Sequence, residues 1–163
     1  MRAQHARRYL DVLLTNRPNH IRRRQLPRRQ AVRIEPDVSP ELRVNYGNAL
    51  AAAGDPDAAM EQYREAIRIR PDHFEAHYNL GLRLAATEEH DAAITEYRSV
   101  IGIRPEFADA HLNLGVELSL TGQNDEAIEQ FLEASRLRPD DPRAHGNLGT
   151  LLHERGDPDG AIR

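Results

Sequence analysis

The stretch HYNLG at residues 77–81 returns as HLNLG at 111–115 and HGNLG at 145–149, and a more divergent copy, RVNYG, stands at 43–47. Asn45, Asn79, Asn113 and Asn147 are therefore spaced by 34 residues, and so are Gly47, Gly81, Gly115 and Gly149. Downstream of each copy, Ala59, Ala93, Ala127 and Ala161 keep the same phase, and Pro71, Pro105 and Pro139 close the units. A fixed period of this length is the mark of a repeat architecture and has to be settled before any local reading.

Each unit reads as two helices. In the first unit Val44, Leu50 and neighbouring alanines form a helical apolar stripe from about Pro40 to Ala53, and Gly54 stops it. Asp55-Pro56 opens a second helix with a capping acid and a proline in the first turn. Ala59, Tyr63, Ala66 and Ile67 then share one face until Pro71 forbids further helix. Gly122 and Gly156 mark the same inter-helix turn in later units, but the second unit has Glu88 there. Its EEHD run at 88–91 reads as a solvated connection plus N-cap.

Small residues at the Gly47 and Ala59 positions let two antiparallel helices cross closely, while Tyr46, Leu50 and Tyr63 fill the seam. One hairpin cannot bury its apolar face alone; stacking buries it, and about three units are needed. The expected fold is all-α, a right-handed superhelical solenoid of antiparallel helix-turn-helix repeats. Repeat 1 spans 40–73, repeat 2 spans 74–107, repeat 3 spans 108–141, and 142–163 is a truncated repeat 4. RQAVRIEPD at 29–37 parallels REAIRIRPD at 64–72, so 29–39 reads as the end of a degenerate preceding repeat. Both ends look cut. We expect a piece of a longer array or a truncated product, with the apolar side of Leu148, Leu151 and Leu152 exposed.

The 163 residues include no cysteine, which excludes a disulfide framework, a thiolate nucleophile and a cysteine-type zinc site. All 22 basic residues are arginine, whose planar fork suits bidentate carboxylate or phosphate recognition, although GC-rich coding is the preferred explanation; the missing lysine excludes Schiff-base chemistry and a Walker-type phosphate loop. The net charge of −4 conceals a division. Residues 1–33 hold ten arginines against Asp11 alone, whereas the remainder holds twelve arginines against 25 acids. The basic arm, 1–28, reads as a disordered or degenerate segment, as a contact for nucleic acid, or as a means of self-association by entering the acidic groove of another copy. Only Tyr9 is available there to stack a base, which makes nucleic acid the weaker partner. No apolar core follows the arginines as a secretory signal requires, and no apolar run reaches membrane-spanning length, so a cytoplasmic location is expected.

Catalytic constellations are missing. His77, His111 and His145 sit one repeat apart, on the order of 10 Å by helix packing distances, and so form a row of seam residues rather than a metal cluster. No G-x-S-x-G elbow or nucleophile–base pair is visible. We expect no enzymatic activity, no metal and no cofactor.

These residues resemble the tetratricopeptide repeat family, a 34-residue helix-turn-helix unit. The likeness covers residues 40–163 and is strongest at the four glycines, the four alanines, Tyr63, Tyr97, Phe131 and the prolines. The large aromatic near the start of the family's first helix is replaced by Arg43, His77, His111 and His145. The resemblance implies that Asn45, Asn79, Asn113 and Asn147 face a concave groove, where carboxamides can pair with any peptide backbone. Such a row is similar to the asparagine ladder in the repeat region of O-linked N-acetylglucosamine transferases. Glu41, Glu75 and Asp109 precede the ladder by one helical turn, and Asn48, Leu82, Val116 and Thr150 follow it by three residues. The groove is thus expected to be acidic at one lip and mildly apolar on its floor. The family's carboxylate clamp is not expected, because Val44 and Asp109 stand where its lysines would be. The function implied is a protein–protein interaction scaffold for an extended peptide segment, basic or neutral, with self-association through the arm or the unfinished repeat as a further option. The alternative is the repeat region of a larger enzyme such as a glycosyltransferase.

Overall fold

The computed structural model describes residues 39–154 and Gly156, all within one compact unit that starts at Ser39. The expectations for residues 1–38, the basic arm and the end of a preceding repeat, lie outside the described residues, as does the tail from 157 onward. Seven helices, and no strand, occur among the described residues: α1 (Pro40–Ala52), α2 (Pro56–Ile69), α3 (Phe74–Ala86), α4 (His90–Ile103), α5 (Ala108–Leu120), α6 (Asn124–Leu137) and α7 (Pro142–Glu154). The first helices α1, α3, α5 and α7 begin 34 residues apart, and so do the second helices α2, α4 and α6. Each helix packs on its neighbours in chain order, and first helices also touch one another. This is the predicted all-α solenoid.

The crossing within each hairpin explains the glycine. A Cβ added at Gly47 would lie 2.6 Å from the Tyr63 ring, at Gly81 2.8 Å from Tyr97, and at Gly115 2.6 Å from Phe131. Those three rings are fully buried and cannot retreat. Ala59, Ala93 and Ala127, with no exposed surface, complete the same contact. Sequence therefore dictates packing here: a hydrogen on one helix, a ring on the other.

The helix ends follow from capping. Asp55 accepts the Ala58 N–H at 3.2 Å, as its place before Pro56 predicts, and Ser39 caps α1 through the Leu42 N–H at 3.4 Å. The turn after α1 is a Schellman motif, with Gly54 N–H bonded to Ala51 and Asp55 N–H to Leu50. Gly54 and Gly122 take the left-handed conformation this turn requires, at φ 83° and 77°. Glu88 makes the same turn at φ 62°, which strains a residue with a side chain. The expected acid cap after it is corrected: Glu89 stands at the N-cap of α4 without capping it, because its carboxylate accepts the Thr87 hydroxyl instead.

A second correction concerns α7. Leu151 is buried and Leu148 packs against the core, because α7 docks on α6; the expected exposed leucine face is thus largely covered.

Candidate functional site

The groove residues stand on the first helices, and they touch across the repeats. Asn79 donates from Nδ2 to Oδ1 of Asn48 at 3.1 Å. The same oxygen accepts the buried Tyr63 hydroxyl at 2.7 Å. Asn113 donates from Nδ2 to the Tyr78 hydroxyl at 3.3 Å. Side chains of α1, α3 and α5 are thereby stitched into one strip. Asn79 keeps a carbonyl oxygen and a second N–H beyond this bond, and Asn113, whose amide also engages Tyr97, keeps its carbonyl oxygen, so the pair can still donate and accept. Asn45 is exposed, whereas Asn147 is half-buried. The four asparagines are therefore equivalent in spacing and different in environment.

Tyrosine hydroxyls reach this strip from the second helices. Tyr97, like Tyr63, is buried to the ring, and that burial pushes its hydroxyl proton affinity far up, while Asn113 acts in the opposite sense. Phe131 occupies the same place in the third repeat without a hydroxyl. Beside it lies a shallow hollow of about 160 Å³, lined by Val116, Leu120, Phe131, Asn147, Thr150 and Leu151 among others. Leu82 and Val116 are half-buried on the floor, and Thr150 turns its hydroxyl back to the Gly146 carbonyl at 3.0 Å.

The acidic lip needs correction, because arginines from the inter-repeat turns and from the start of α7 pair with most of it. Arg70 pairs with Glu41. Bonds from its own backbone N–H, the Ser39 hydroxyl and Arg70 hold the Glu41 carboxyl down to about 2. Asp109 receives Arg138 at 2.9 Å and Arg143 at 2.8 Å, and hydrogen bonding from Arg138 above all lowers its carboxyl against the effect of burial. Arg104 should serve Glu75 by the same 29-residue spacing, but it lies over the Phe74 ring at 3.6 Å. Glu75 instead faces the buried His73, 3.1 Å away, and neither ring nitrogen of His73 is aligned for a hydrogen bond.

The histidine row behaves as a seam. Nε2 of His77 lies 2.8 Å from the Pro71 carbonyl and Nδ1 lies 2.6 Å from Glu96. His111 repeats this with the Pro105 carbonyl and Gln130, both at 2.8 Å. His77 and His111 are more buried than the half-buried residues expected, and His145 is exposed. Two acceptors around His77 favour the doubly protonated ring, so the Glu96 hydrogen bond raises its proton affinity although burial opposes it. Among the described residues no group of histidines and acids is placed to hold a metal ion.

Sequence reasoning missed three features. Tyr78 packs edge-on against Phe107 at 5.0 Å between ring centroids, and Phe107 in turn meets Phe74 at 5.9 Å, giving α3 an aromatic flank. His90 binds the buried Glu117 at 2.6 Å and ties α4 to α5. The arginines of the lip were the third. Their spacing from the acids was visible in the sequence; the 27-residue offset of His90 from Glu117 carries no such periodic signal.

Comparisons with known proteins agree with the repeat fold. Among curated proteins none matches the sequence. Crystal structures of MamA are similar: one is 27% identical with a TM-score of 0.72, covering 76% of this chain and 72% of that chain. A MamA chain from Desulfovibrio magneticus RS-1 is 28% identical with a TM-score of 0.70, covering 76% and 70%. The likeness to glycosyltransferase repeat regions rests on the asparagine spacing alone. No helix among the described residues is long and apolar enough to cross a membrane. The TPR-repeat family model matches residues 47–87, 81–116 and 117–162, and the chain belongs to that family.

Proposed function

We propose that the protein is an interaction scaffold that holds an extended peptide segment of another protein along its first helices. The observation that carries this reading is the strip Asn48–Asn79–Tyr78–Asn113, hydrogen-bonded across three repeats yet retaining donors and acceptors. A carboxamide pairs with a peptide bond whatever side chain follows, so the strip suits an extended backbone. The absence of a catalytic constellation from the sequence favours a binding role over an enzymatic one. Neutralised Glu41 and Asp109 remove the grounds for preferring a strongly basic segment, so the proposed segment is close to neutral.

The test is a selection of linear dodecapeptides displayed on phage against the immobilised full chain, followed by titration of the winning peptides. Changing Asn79 and Asn113 to alanine together should weaken binding at least about tenfold, the loss of two modest hydrogen bonds. The thermal midpoint should fall by up to about 10 °C, because the bonds to Asn48 and Tyr78 are lost as well, with unfolding still a single cooperative transition. Unchanged affinity in the folded double variant rejects the groove.

A further inference from the structure

We infer that the groove reads two side chains of that segment, a single Lys or Arg at Glu75 and a single Leu, Ile or Met in the hollow between α5 and α7. The inference rests on the peptide-groove reading and adds its specificity. Charge complementarity supplies the first point. Of the three lip acids, Glu41 already holds Arg70, and Asp109 already holds Arg138 and Arg143. No arginine among the described residues reaches Glu75, because Arg104 is engaged on the face of Phe74. Its carboxylate is half exposed and stands one turn before Asn79, on the same face of α3. A cation brought in by a bound segment meets, among the described lip acids, the one carboxylate that no arginine holds; His73 lies 3.1 Å from one of its oxygens, and the backbone-binding amide of Asn79 stands beside it.

The second point comes from the break in the tyrosine series. In the first repeat the ring that crosses the glycine carries a hydroxyl bonded to a groove asparagine, Tyr63 to Asn48. Tyr97 is engaged by Asn113 in the second. Phe131 has no hydroxyl, and the groove floor beside it is open for about 160 Å³. Val116, Leu120 and Leu151 give that hollow an apolar base, and Asn147 and Thr150 stand on its rim. None of its lining residues is ionisable, and Leu120 is 63% exposed. The hollow therefore admits an uncharged aliphatic side chain and penalises a charged one, which would lose water without gaining a partner.

Geometry fixes the spacing between the two. Glu75 is on α3, and the hollow lies beyond α5, about one and a half first-helix spacings away. At helix packing distances of about 8–10 Å this is on the order of 15 Å sideways. The hollow also lies about eight residues further along its helices than Glu75 does along α3, on the order of 12 Å lengthwise, so the direct separation is on the order of 19 Å. An extended chain advances about 3.3–3.6 Å per residue, so the basic and aliphatic residues should be about five or six positions apart.

The same phage selection tests this on the wild-type full chain, on Glu75→Gln, on Glu41→Gln and on Thr150→Phe, whose ring would overhang the hollow. All three changes are at exposed positions. The wild type should enrich one basic and one aliphatic residue at that spacing. Glu75→Gln should lose the basic preference alone, Thr150→Phe the aliphatic preference alone, and Glu41→Gln neither. In titrations of a selected peptide, replacing its basic residue by alanine should weaken wild-type binding about three- to fivefold and leave Glu75→Gln unaffected. Replacing its aliphatic residue should weaken binding about tenfold or more. The inference is overturned by equal enrichment of a basic residue on Glu75→Gln, or by the two residues appearing at unrelated spacings. If such peptides still depend on Asn79 and Asn113, only this inference fails. Peptides indifferent to those asparagines, or a selection without any binder, reject the groove reading as well.

Discussion

The seam between paired helices and the groove along the first helices are built from the same repeated units, yet they differ in how faithfully they repeat. In the seam, Gly47, Gly81 and Gly115 meet Tyr63, Tyr97 and Phe131 at nearly the same distance. In the groove, Asn48, Leu82, Val116 and Thr150 occupy one position, and Glu41, Glu75, Asp109 and Arg143 another. The physical requirements explain the contrast. A helix crossing closed to contact distance has one solution, because protein interiors are close-packed and a single methyl group is felt. A groove wall facing outward has many solutions, each compatible with the fold. Repetition in this chain thus marks what holds it together, and departure from repetition marks where it can discriminate.

The most severe way to break the comparison is to add one methyl group to the seam. Gly81→Ala should destabilise the protein by about 2–3 kcal/mol, because the added Cβ overlaps a buried ring that has nowhere to go. Gly102 in α4 is the control: nothing lies within 4 Å of a Cβ built there. Gly102→Ala should stabilise by up to about 1 kcal/mol through helix propensity. Urea unfolding of the two variants measures both. Equal effects would mean that the crossing is not tight.

The seam was legible in the sequence and the groove only in part, for related reasons. Glycine, alanine and proline at fixed phase report backbone geometry directly, so residues 40–154 could be laid out as helix pairs from spacing alone. The asparagine row was legible as spacing too. Its bonding was not, since Asn113 reaches Tyr78 across 35 residues and Asn79 reaches Asn48 across 31. The charge of the lip depended on rotamers. Arg70, Arg104 and Arg138 share a register, yet one of the three abandons its acid for a ring because Phe74 is present only in repeat 2. A pattern read along one dimension cannot register which of two neighbours a long side chain chooses.

A smaller break in repetition lies at the turn. Gly54 and Gly122 adopt positive φ without strain, and Glu88 adopts it with a side chain. Changing Glu88 to glycine should restore the pattern and raise stability by about 1 kcal/mol, the usual penalty for a left-handed L-residue. The Schellman bonds of Glu88 and Glu89 to Ala85 and Leu84 are backbone bonds and survive the change. A rise in the urea midpoint without a change in slope is the expected result. A fall would show that the Glu88 side chain contributes more than its conformation costs.

The mildest test compares two histidines in equivalent places. His77 is held between the Pro71 carbonyl and the Glu96 carboxylate, two acceptors that together demand a proton on each ring nitrogen. His111 has the Pro105 carbonyl and the Gln130 amide, which can turn to present either its oxygen or its N–H. Folding therefore raises the proton affinity of His77 above its ordinary value. A raised histidine contributes stability that is fully present below the unfolded value, about 6.5, and is lost as pH rises through the folded one. Glu96→Gln makes repeat 2 resemble repeat 3 and should remove that decline. Unfolding measured between about pH 5.5 and pH 8.5 should show wild type losing under about 1 kcal/mol relative to the variant, a modest term because Glu96 keeps some contact with water. Parallel curves for the two proteins would mean that the carboxylate and the amide are interchangeable in the seam. His77 and His111 would then be alike in energy as well as in position.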